Sequence, residues 1–426
     1  MFISRSSLWT DIGGDPKKAK VYLKRSNSSP INLLLCGDNR PPLDDPFPGD
    51  PSLRIISQAI GRLKSLTTSG TPGYIQDVTT HIFHPAPLLE YLSMTSRHGE
   101  GPHRDPLLIS THFDGDLSSL RTLRLECVRT ELPWRNMVNL TSLRLVRTSP
   151  VSVRRTLDFF ENAPHLREVE LWSVTQIPSA ENGRLVSLAC LKRMDITGGG
   201  SSSPLLDHVL IPAGACLTAS VDLPAPSITH RTSRFLDDLK NLPGFTTIQL
   251  YGDEAYPRMK FGGPGGEVTL IVITPHDNEA CFILESLAHF DTSKTERLTI
   301  DINDTSSRDL LHQTLLPMKD LRTLTLAFCV TPHILIHALH PIMSLSTVVL
   351  CPNLEELVIN HWQKPDLKDV IGMAAARESR GAGLKLVRTV SQVKSIDVLK
   401  LKNYVLRVEC GPDAGVDDDS DSSGED

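Results

Sequence analysis

The stretch Leu120-Arg-Thr-Leu123-Arg-Leu125 contains the apolar spacing on which the fold of this 426-residue chain depends. The same spacing starts again at Leu140, Leu166 and Leu191, so that neighbouring copies lie 20, 26 and 25 residues apart. These intervals are close to the period of roughly 20 to 29 residues that is typical of leucine-rich repeats. Further copies start at Phe245, Leu321 and Leu354, and weaker ones at Leu89 and Thr295.

Each copy predicts a short strand, because its last two apolar residues are two positions apart and alternate residues of a strand share one face. The gap between Leu191 and Phe245 is 54 residues, about two periods, and predicts a degenerate copy near 216–221. Helical patterns between the strands predict helices at 153–160, 277–290, 309–316 and 334–339. The first of these helices is expected to start after Ser149 and Pro150.

Strands and helices that alternate with this period predict an α/β fold of the leucine-rich-repeat solenoid (horseshoe) type. One repeat alone leaves its apolar face open, so the repeats are expected to stack on one another. The alternative is an ordinary α/β fold whose core strands happen to be rich in leucine. The predicted organisation is a small N-terminal cap at 1–50, the solenoid at 51–410 and a disordered acidic tail at 411–426.

The charge balance argues against a nucleic-acid-binding function. The chain has 44 Lys and Arg against 50 Asp and Glu, and seven of the acidic residues lie in 411–426. The rest of the chain is therefore almost neutral, with 44 basic and 43 acidic residues, whereas nucleic-acid binders usually carry a basic surface. A hydrophobic content of 40% is enough for a packed core and excludes a wholly disordered chain.

The sequence predicts neither secretion nor insertion into a membrane. The first residues contain no apolar segment of the kind that a secretory leader needs. No apolar run reaches the length of about 18 residues that indicates a membrane span. The eight cysteines are scattered singly, without the CxxC spacing of a zinc site. We therefore expect a protein of the cytoplasm or the nucleus.

The N-terminal region and the repeats together resemble a known family. Leu8-Trp9 is followed by Leu23-Lys-Arg25-Ser26 and then by Pro30-Ile-Asn-Leu33. This arrangement is similar to the stretch that follows the F-box in fungal F-box/leucine-rich-repeat proteins. The repeats that begin with Ala86-Pro and Ala163-Pro resemble the repeats of the same family. The resemblance covers roughly residues 4–410.

The resemblance implies the substrate-recognition part of a Skp–cullin–F-box ubiquitin-ligase receptor, with a protein substrate as its partner. Family members carry, ahead of this point, a helix like Leu-Pro-x-Glu-Ile that docks the Skp adaptor. No such motif occurs near the start of this chain. We therefore expect the Skp adaptor as a partner only if an F-box precedes Met1. The alternative is an F-box-less scaffold or decayed paralogue with no ubiquitin-ligase role.

The residues between the inward-pointing apolar positions predict the partner-binding face. In leucine-rich-repeat proteins the strands line the concave surface, which is where these residues would point. Two arginines on neighbouring strands are expected to form a basic patch beside two carboxylates, and exposed aromatic residues are typical of binding hot spots. In the alternative interpretation the tryptophan only packs over an edge and the charges are merely solvated. The predicted partner-binding residues are Arg124, Arg144, Glu170, Trp172, Asp195 and Tyr251.

No pattern in the sequence predicts an enzyme. His333, His337 and His340 have helical spacing, but the glutamate of an HExxH zinc site is missing. The glycine-rich stretch 262–266 lacks the Lys-Ser/Thr of a phosphate-binding loop and predicts a turn. We therefore expect no catalytic residue, no metal and no cofactor.

The acidic tail contains two candidate modification sites. Ser422 and Ser423 are each followed, three positions later, by an acidic residue, which suits an acid-directed kinase. Phosphorylation would add about −1.5 to −2 charges per site. The alternative is a tail that only increases solubility.

Overall fold

The computed structural model describes residues 10–13, 16–37, 53–97, 107–109, 113, 117–130, 137–148, 151–174, 176–177, 183–198, 201–212, 214–221, 245–252, 257–264, 266–272, 279–287, 290–302, 308–327, 332–341, 349–360, 367–390 and 393–411. The chain divides into two compact units, Met1–Ser220 and Val221–Asp426. Each unit contains both strands and helices, so the fold is mixed α/β, as the alternating pattern predicts. Ser422 and Ser423 lie outside the described residues.

The first unit is built on parallel strands that lie side by side in chain order. Its strands are β1 (Asp11–Ile12), β2 (Ile31–Gly37), β3 (Leu63–Gly70), β4 (Tyr91–Ser96), β5 (Leu107–Ile109), β6 (Thr122–Glu126), β7 (Val128–Thr130), β8 (Ser142–Val146), β9 (Val151–Ser152), β10 (Glu168–Trp172), β11 (Gln176–Ile177), β12 (Val186–Ser187), β13 (Arg193–Thr197), β14 (Val209–Leu210) and β15 (Cys216–Val221). Among these, β1, β2, β3, β4, β6, β8, β10, β13 and β15 pair in that order as one parallel sheet. The short strands form the parallel pairs β5–β7, β9–β11 and β12–β14.

Helices separate several of these strands. Those of the first unit are Pro16–Arg25, Arg54–Ala59, Pro72–Thr79, Val153–Asn162 and Ser203–Leu206, with a 3-10 helix at Ile60–Arg62.

The second unit combines a parallel array with a hairpin. Its strands are β16 (Thr247–Tyr251), β17 (Arg258–Gly263), β18 (Gly266–Val272), β19 (Arg297–Asp301), β20 (Thr323–Leu326), β21 (Glu356–Ile359), β22 (Leu386–Thr389) and β23 (Arg407–Cys410). Strands β16, β19, β20, β21, β22 and β23 pair in that order and in parallel. Its helices are Glu279–Leu287, Arg308–Leu315, Pro332–Leu339, Lys368–Glu378 and Ser395–Leu401. Each of these helices contacts the next one along the chain.

The apolar spacing of the repeat explains the parallel register. Leu123, Leu143 and Val169 face one another across neighbouring strands, and all three are buried. The apolar residues two positions further on are buried in the same way, which leaves the residue between them on the opposite face. Every copy predicted from the sequence contains a strand, including the degenerate copy, which is β15.

The predicted helices are present, with shifted boundaries. The helix predicted at 153–160 is Val153–Asn162, but its N-cap is Ser152 and not Ser149. The Ser152 Oγ accepts a hydrogen bond from the N–H of Arg155 at 3.2 Å. Ser152 ends strand β9, so its backbone is already extended, which is the conformation that an N-cap requires.

The glycine-rich stretch 262–266, predicted to be a turn, includes the end of β17, a turn residue at Pro264 and the start of β18, and this hairpin was not expected. It joins β17 to β18, which pair antiparallel, and β17 also pairs antiparallel with β16. Gly266 has a φ of 114°, a conformation that side chains with a Cβ rarely adopt. The hairpin therefore interrupts the strand–helix alternation at a point where the sequence shows only a loop.

Candidate functional site

Four of the predicted binding residues lie in one column on the exposed side of the first unit's sheet. Arg124 pairs in register with Arg144, Arg144 with Glu170, and Glu170 with Asp195. Adjacent strands are about 4.8 Å apart, so the four side chains start at regular and short intervals. The sequence spacing between them is 20 or more residues, and it is the shared register that brings them together.

The arginines of this column are engaged in different ways. Arg144 Nη1 lies 3.4 Å from Glu170 Oε2, an ion pair in which both side chains are partly exposed. The guanidinium of Arg124 lies 5.8 Å from the centre of the Tyr91 ring, within the range of a cation–π interaction. The predicted basic patch is therefore reduced, because one arginine has a carboxylate partner and the other stacks on an aromatic ring.

Asp195 is the most buried ionisable group of the column. Burial raises the pKa of its carboxyl, while the nearby Arg193 guanidinium and a hydrogen bond from Thr197 act in the opposite direction. Arg193 Nη2 lies 3.8 Å from Asp195 Oδ2 and is itself well exposed, so this ion pair is weak. Asp195 is thus held in a partly desolvated position at the acidic end of the column.

We expect Asp195→Asn to change how stability depends on pH. A folded-state pKa above the unfolded value means that the folded chain binds the proton more tightly, so this contribution to stability is lost as pH rises through the folded pKa. The free energy of unfolding of Asp195→Asn, relative to the parent chain, should therefore increase from acidic to neutral pH. Urea unfolding at a series of pH values measures it, with Asp77→Asn, at an exposed carboxylate, as the control. A difference that shrinks as pH rises would contradict the expectation.

The residues that follow β6, β8, β10 and β13 turn the chain with a left-handed backbone. Three non-glycine residues, Cys127, Arg147 and Ser173, have φ values of 54°, 49° and 52°, and Gly198 occupies the same position after β13 with 75°. The N–H of Arg147 bonds to the Trp172 carbonyl at 2.8 Å, and the equivalent bonds recur at Cys127 and Ser173. Left-handed non-glycine residues are uncommon, so their recurrence marks a repeated turn that directs the Arg147 side chain.

Trp172 lies at the end of β10 and is both packed and exposed. The Arg147 guanidinium is 5.9 Å from the centre of its ring. Gly198 lies against the indole edge, since a Cβ at that glycine would be 3.0 Å from Trp172 Cδ1. The side chain nevertheless remains 44% exposed. The indole is thus held in place before any partner binds, which lowers the entropy lost on binding.

The sixth predicted residue, Tyr251, belongs to the second unit and is described separately. It ends β16, and its hydroxyl donates a hydrogen bond to Gln249 Oε1 at 2.7 Å. It pairs in register with Asp301, whose carboxyl has a pKa raised by burial. Tyr251 is partly buried, so it offers less free surface than Trp172 does.

The second unit has an open groove of about 720 Å³ on its exposed strand face. Its floor consists of the residues between the inward positions, Gln249, Thr299, Thr325 and Val358. Charged residues that precede the strands form one side of it, and they alternate in sign: Glu296, Arg322 and Glu355. The sequence-based prediction followed the floor column and the position after it, but not the charged residues that precede the strands. The charged positions could have been found by reading the second residue of each Leu-x-x-Leu-x-Leu copy.

Helix Pro332–Leu339 carries two of the three histidines singled out in the sequence, His333 and His337. The rings of His333 and His337 are 6.4 Å apart between their centres. His337 Nε2 lies 3.4 Å from Asp369 Oδ2. Across the described part of the chain, no group of three or more His, Cys, Asp or Glu residues is placed to hold a metal ion.

No family model matches the chain, and no curated protein matches it either. Of the helices that the structure describes, none is both long and apolar enough to cross a membrane. The function is therefore inferred from the geometry of the exposed strand faces.

Proposed function

We propose that the chain is a protein-interaction module whose repeats stack as a leucine-rich-repeat solenoid. In this proposal it is similar to the substrate-recognition part of a Skp–cullin–F-box ubiquitin-ligase receptor and binds a protein substrate in the cytoplasm or nucleus. The observation that carries the proposal is the column Arg124, Arg144, Glu170 and Asp195, in register beside the preplaced and half-exposed Trp172. An aromatic anchor surrounded by charged residues is typical of protein–protein interfaces.

The character of the exposed faces also favours a macromolecular partner over a small ligand. Small-molecule sites are usually concave and mostly apolar. The groove of the second unit is open, and its lining consists mainly of threonine, glutamate and arginine side chains. Charges of both signs at defined positions are suited to selecting one partner protein and rejecting others.

A ubiquitin-ligase role depends on contact with the Skp adaptor. The test is to tag the chain at its native locus, measure the intact mass and identify the proteins that co-purify. Co-purification of the adaptor and a cullin with a species several kilodaltons above 47.0 kDa would support a receptor with an upstream F-box. A species of 47.0 kDa without them would leave a scaffold that binds its partner but recruits no ligase.

We expect Trp172→Ala to reduce partner capture at least tenfold while the chain stays folded. A hot-spot aromatic contributes about 2 kcal/mol or more to binding. The matched control is Phe83→Ala, which removes another half-exposed aromatic ring that lies on no strand. Quantitative mass spectrometry of the captured proteins, together with thermal unfolding of both variants, provides the measurement. Equal recovery of the same partners by Trp172→Ala and the parent chain would move the binding surface elsewhere.

A further inference from the structure

A row of cations crosses the first unit just before its central strands. Arg121, Arg167 and Lys192 precede β6, β10 and β13, and Thr141 occupies the same place before β8. Backbone hydrogen bonds of 2.8 Å connect them in sequence: the N–H of Thr141 donates to the Arg121 carbonyl, that of Arg167 to the Thr141 carbonyl, and that of Lys192 to the Arg167 carbonyl. We call Arg121, Arg167 and Lys192 the basic row. It spans three strand spacings, about 14 Å.

In the part of the chain that the structure describes, no ion pair neutralises the charges of the basic row. All three side chains are exposed. Within the described residues, none of them has a carboxylate at ion-pair distance. Glu90 occupies the equivalent place before β4, and the N–H of Arg121 donates to its backbone carbonyl. The Glu90 side chain pairs with Lys64, with 3.7 Å between Oε2 and the Lys64 Nζ.

The basic row borders a pocket that has room for an anionic side chain. The pocket has a volume of about 350 Å³. Its lining includes Arg121, Arg167, His165 and Cys190, together with one carboxylate, Glu90. Its neutral polar residues already bond to backbone carbonyls: the Asn139 Nδ2 to Ser118 at 2.7 Å, and Ser119 and Thr141 likewise. The free donors in the pocket are therefore mainly the cationic side chains.

The second unit shows the same row with its charges balanced. Glu296, Arg322, Glu355 and Lys385 precede β19, β20, β21 and β22 and alternate in sign. Lys385 Nζ lies 2.7 Å from Glu355 Oε1. The hydrogen bond and charge of Lys385, and to a smaller extent Arg322, lower the pKa of the Glu355 carboxyl. Opposite charges on neighbouring strands stabilise each other, and like charges repel. The basic row of the first unit therefore contains unfavourable repulsion that a bound anion would relieve.

We propose that the basic row binds an extended acidic peptide segment of a partner protein, with carboxylates against Arg121, Arg167 and Lys192. An extended chain advances about 3.3 Å per residue, so four or five residues cover the row. Three cations suit a short acidic segment, whereas a nucleic acid usually requires a wider basic surface than this nearly neutral body offers. This inference adds the chemistry of the partner to the proposed function. It rests on that function only for the assumption that the partner is a protein.

The test is fluorescence anisotropy of a labelled Glu-rich peptide of about ten residues with the full chain at low salt, where charge interactions are least screened. We expect the double variant Arg167→Glu with Lys192→Glu to weaken binding at least tenfold. The control is Lys20→Glu with Lys24→Glu, an equal change of charge on exposed residues of helix Pro16–Arg25, which should stay within twofold of the parent chain. The acidic tail is present in every variant.

Several outcomes would overturn the inference. If both double variants weaken peptide binding equally, only the net charge of the chain matters. If the peptide does not bind even at millimolar concentrations of the parent chain, the row is not a binding site. Tighter binding of a labelled single-stranded oligonucleotide through the same row would assign it to nucleic acid. If the charge reversal unfolds the chain, the single variants Arg167→Gln and Lys192→Gln give the same comparison. Because the probe is synthetic, failure here leaves the Trp172 capture experiment unaffected.

Discussion

We expect Arg377→Ala to lower the free energy of unfolding by about 3–5 kcal/mol, because hydrogen bonds to a charged group contribute roughly 1.5–3 kcal/mol each. The Arg377 side chain is fully buried on helix Lys368–Glu378. Its Nη1 donates to the Leu350 carbonyl and its Nη2 to the Cys351 carbonyl, both at 2.8 Å, and its Nε to the Ala382 carbonyl at 3.2 Å. The substitution would leave three carbonyls without this donor and create a cavity.

The charge of Arg377 is balanced by carbonyl dipoles, and no carboxylate among the described residues forms an ion pair with it. Burial raises the pKa of the neighbouring Cys351 thiol to about 12, so this group stays neutral at physiological pH. Burial also lowers the pKa of the Arg377 guanidinium. The three carbonyls therefore carry the stabilisation of the cation, which is why the loss is expected to be large.

Urea unfolding and hydrogen exchange measure the effect of Arg377→Ala. Amides of 349–360 and of helix Lys368–Glu378 should lose protection first, because the side chain joins these two segments. Arg297→Ala, at an exposed arginine of the same unit, is the control and should change stability by no more than about 0.5 kcal/mol. If the two variants are equally stable, the guanidinium contributes little to holding the segments together.

The second large effect is expected from Leu123→Ala, at about 2–5 kcal/mol. Leu123 is fully buried at the centre of β6, and it pairs in register with Leu92 and Leu143, which are buried as well. The substitution removes three carbon atoms and leaves a cavity between Leu92 on β4 and Leu143 on β8, which are held in place by their own strands. The surrounding side chains can close such a cavity only in part.

The control for Leu123→Ala is its neighbour Thr122→Ala. Thr122 is on the same strand but is only half-buried, so its truncation should change stability by no more than about 0.5 kcal/mol. Chemical unfolding gives the free energies, and hydrogen exchange should show lost protection in β4 and β8 on either side of β6. Similar losses for both variants would contradict the assignment of the two faces of the strand.

The repeat copies predicted ten of the 15 strands in the two parallel arrays, because the signal is local and periodic. The alternation that buries Leu123 and Leu125 and exposes Arg124 is visible in the sequence and is present in the structure. Strands β1 to β3, β22 and β23, the hairpin β17–β18 and the short strands outside the main sheet carry no full copy of the motif and were not predicted from it. Val146 also departs from the pattern: it pairs with Trp172 in register, yet it is buried.

The candidate site follows the same division. The column from Arg124 to Asp195 was predictable, because parallel pairing of the repeat strands brings equivalent positions of each repeat into register. The side-chain contacts that these residues make could not be predicted from the sequence. Arg147 over Trp172 depends on a left-handed turn, and the ion pair of Arg144 with Glu170 depends on the rotamers of both side chains.

The sequence alone establishes which residues of each repeat point inward and which point outward, since burial with a period of two is a property of neighbouring residues. The tertiary structure decides which outward charges are balanced. The row before the strands is self-neutralising in the second unit and unbalanced in the first, and Arg377 is buried although nothing near it in sequence indicates this. Such differences arise between residues 20 or more positions apart, whose distance is set only when the strands pair and the helices pack.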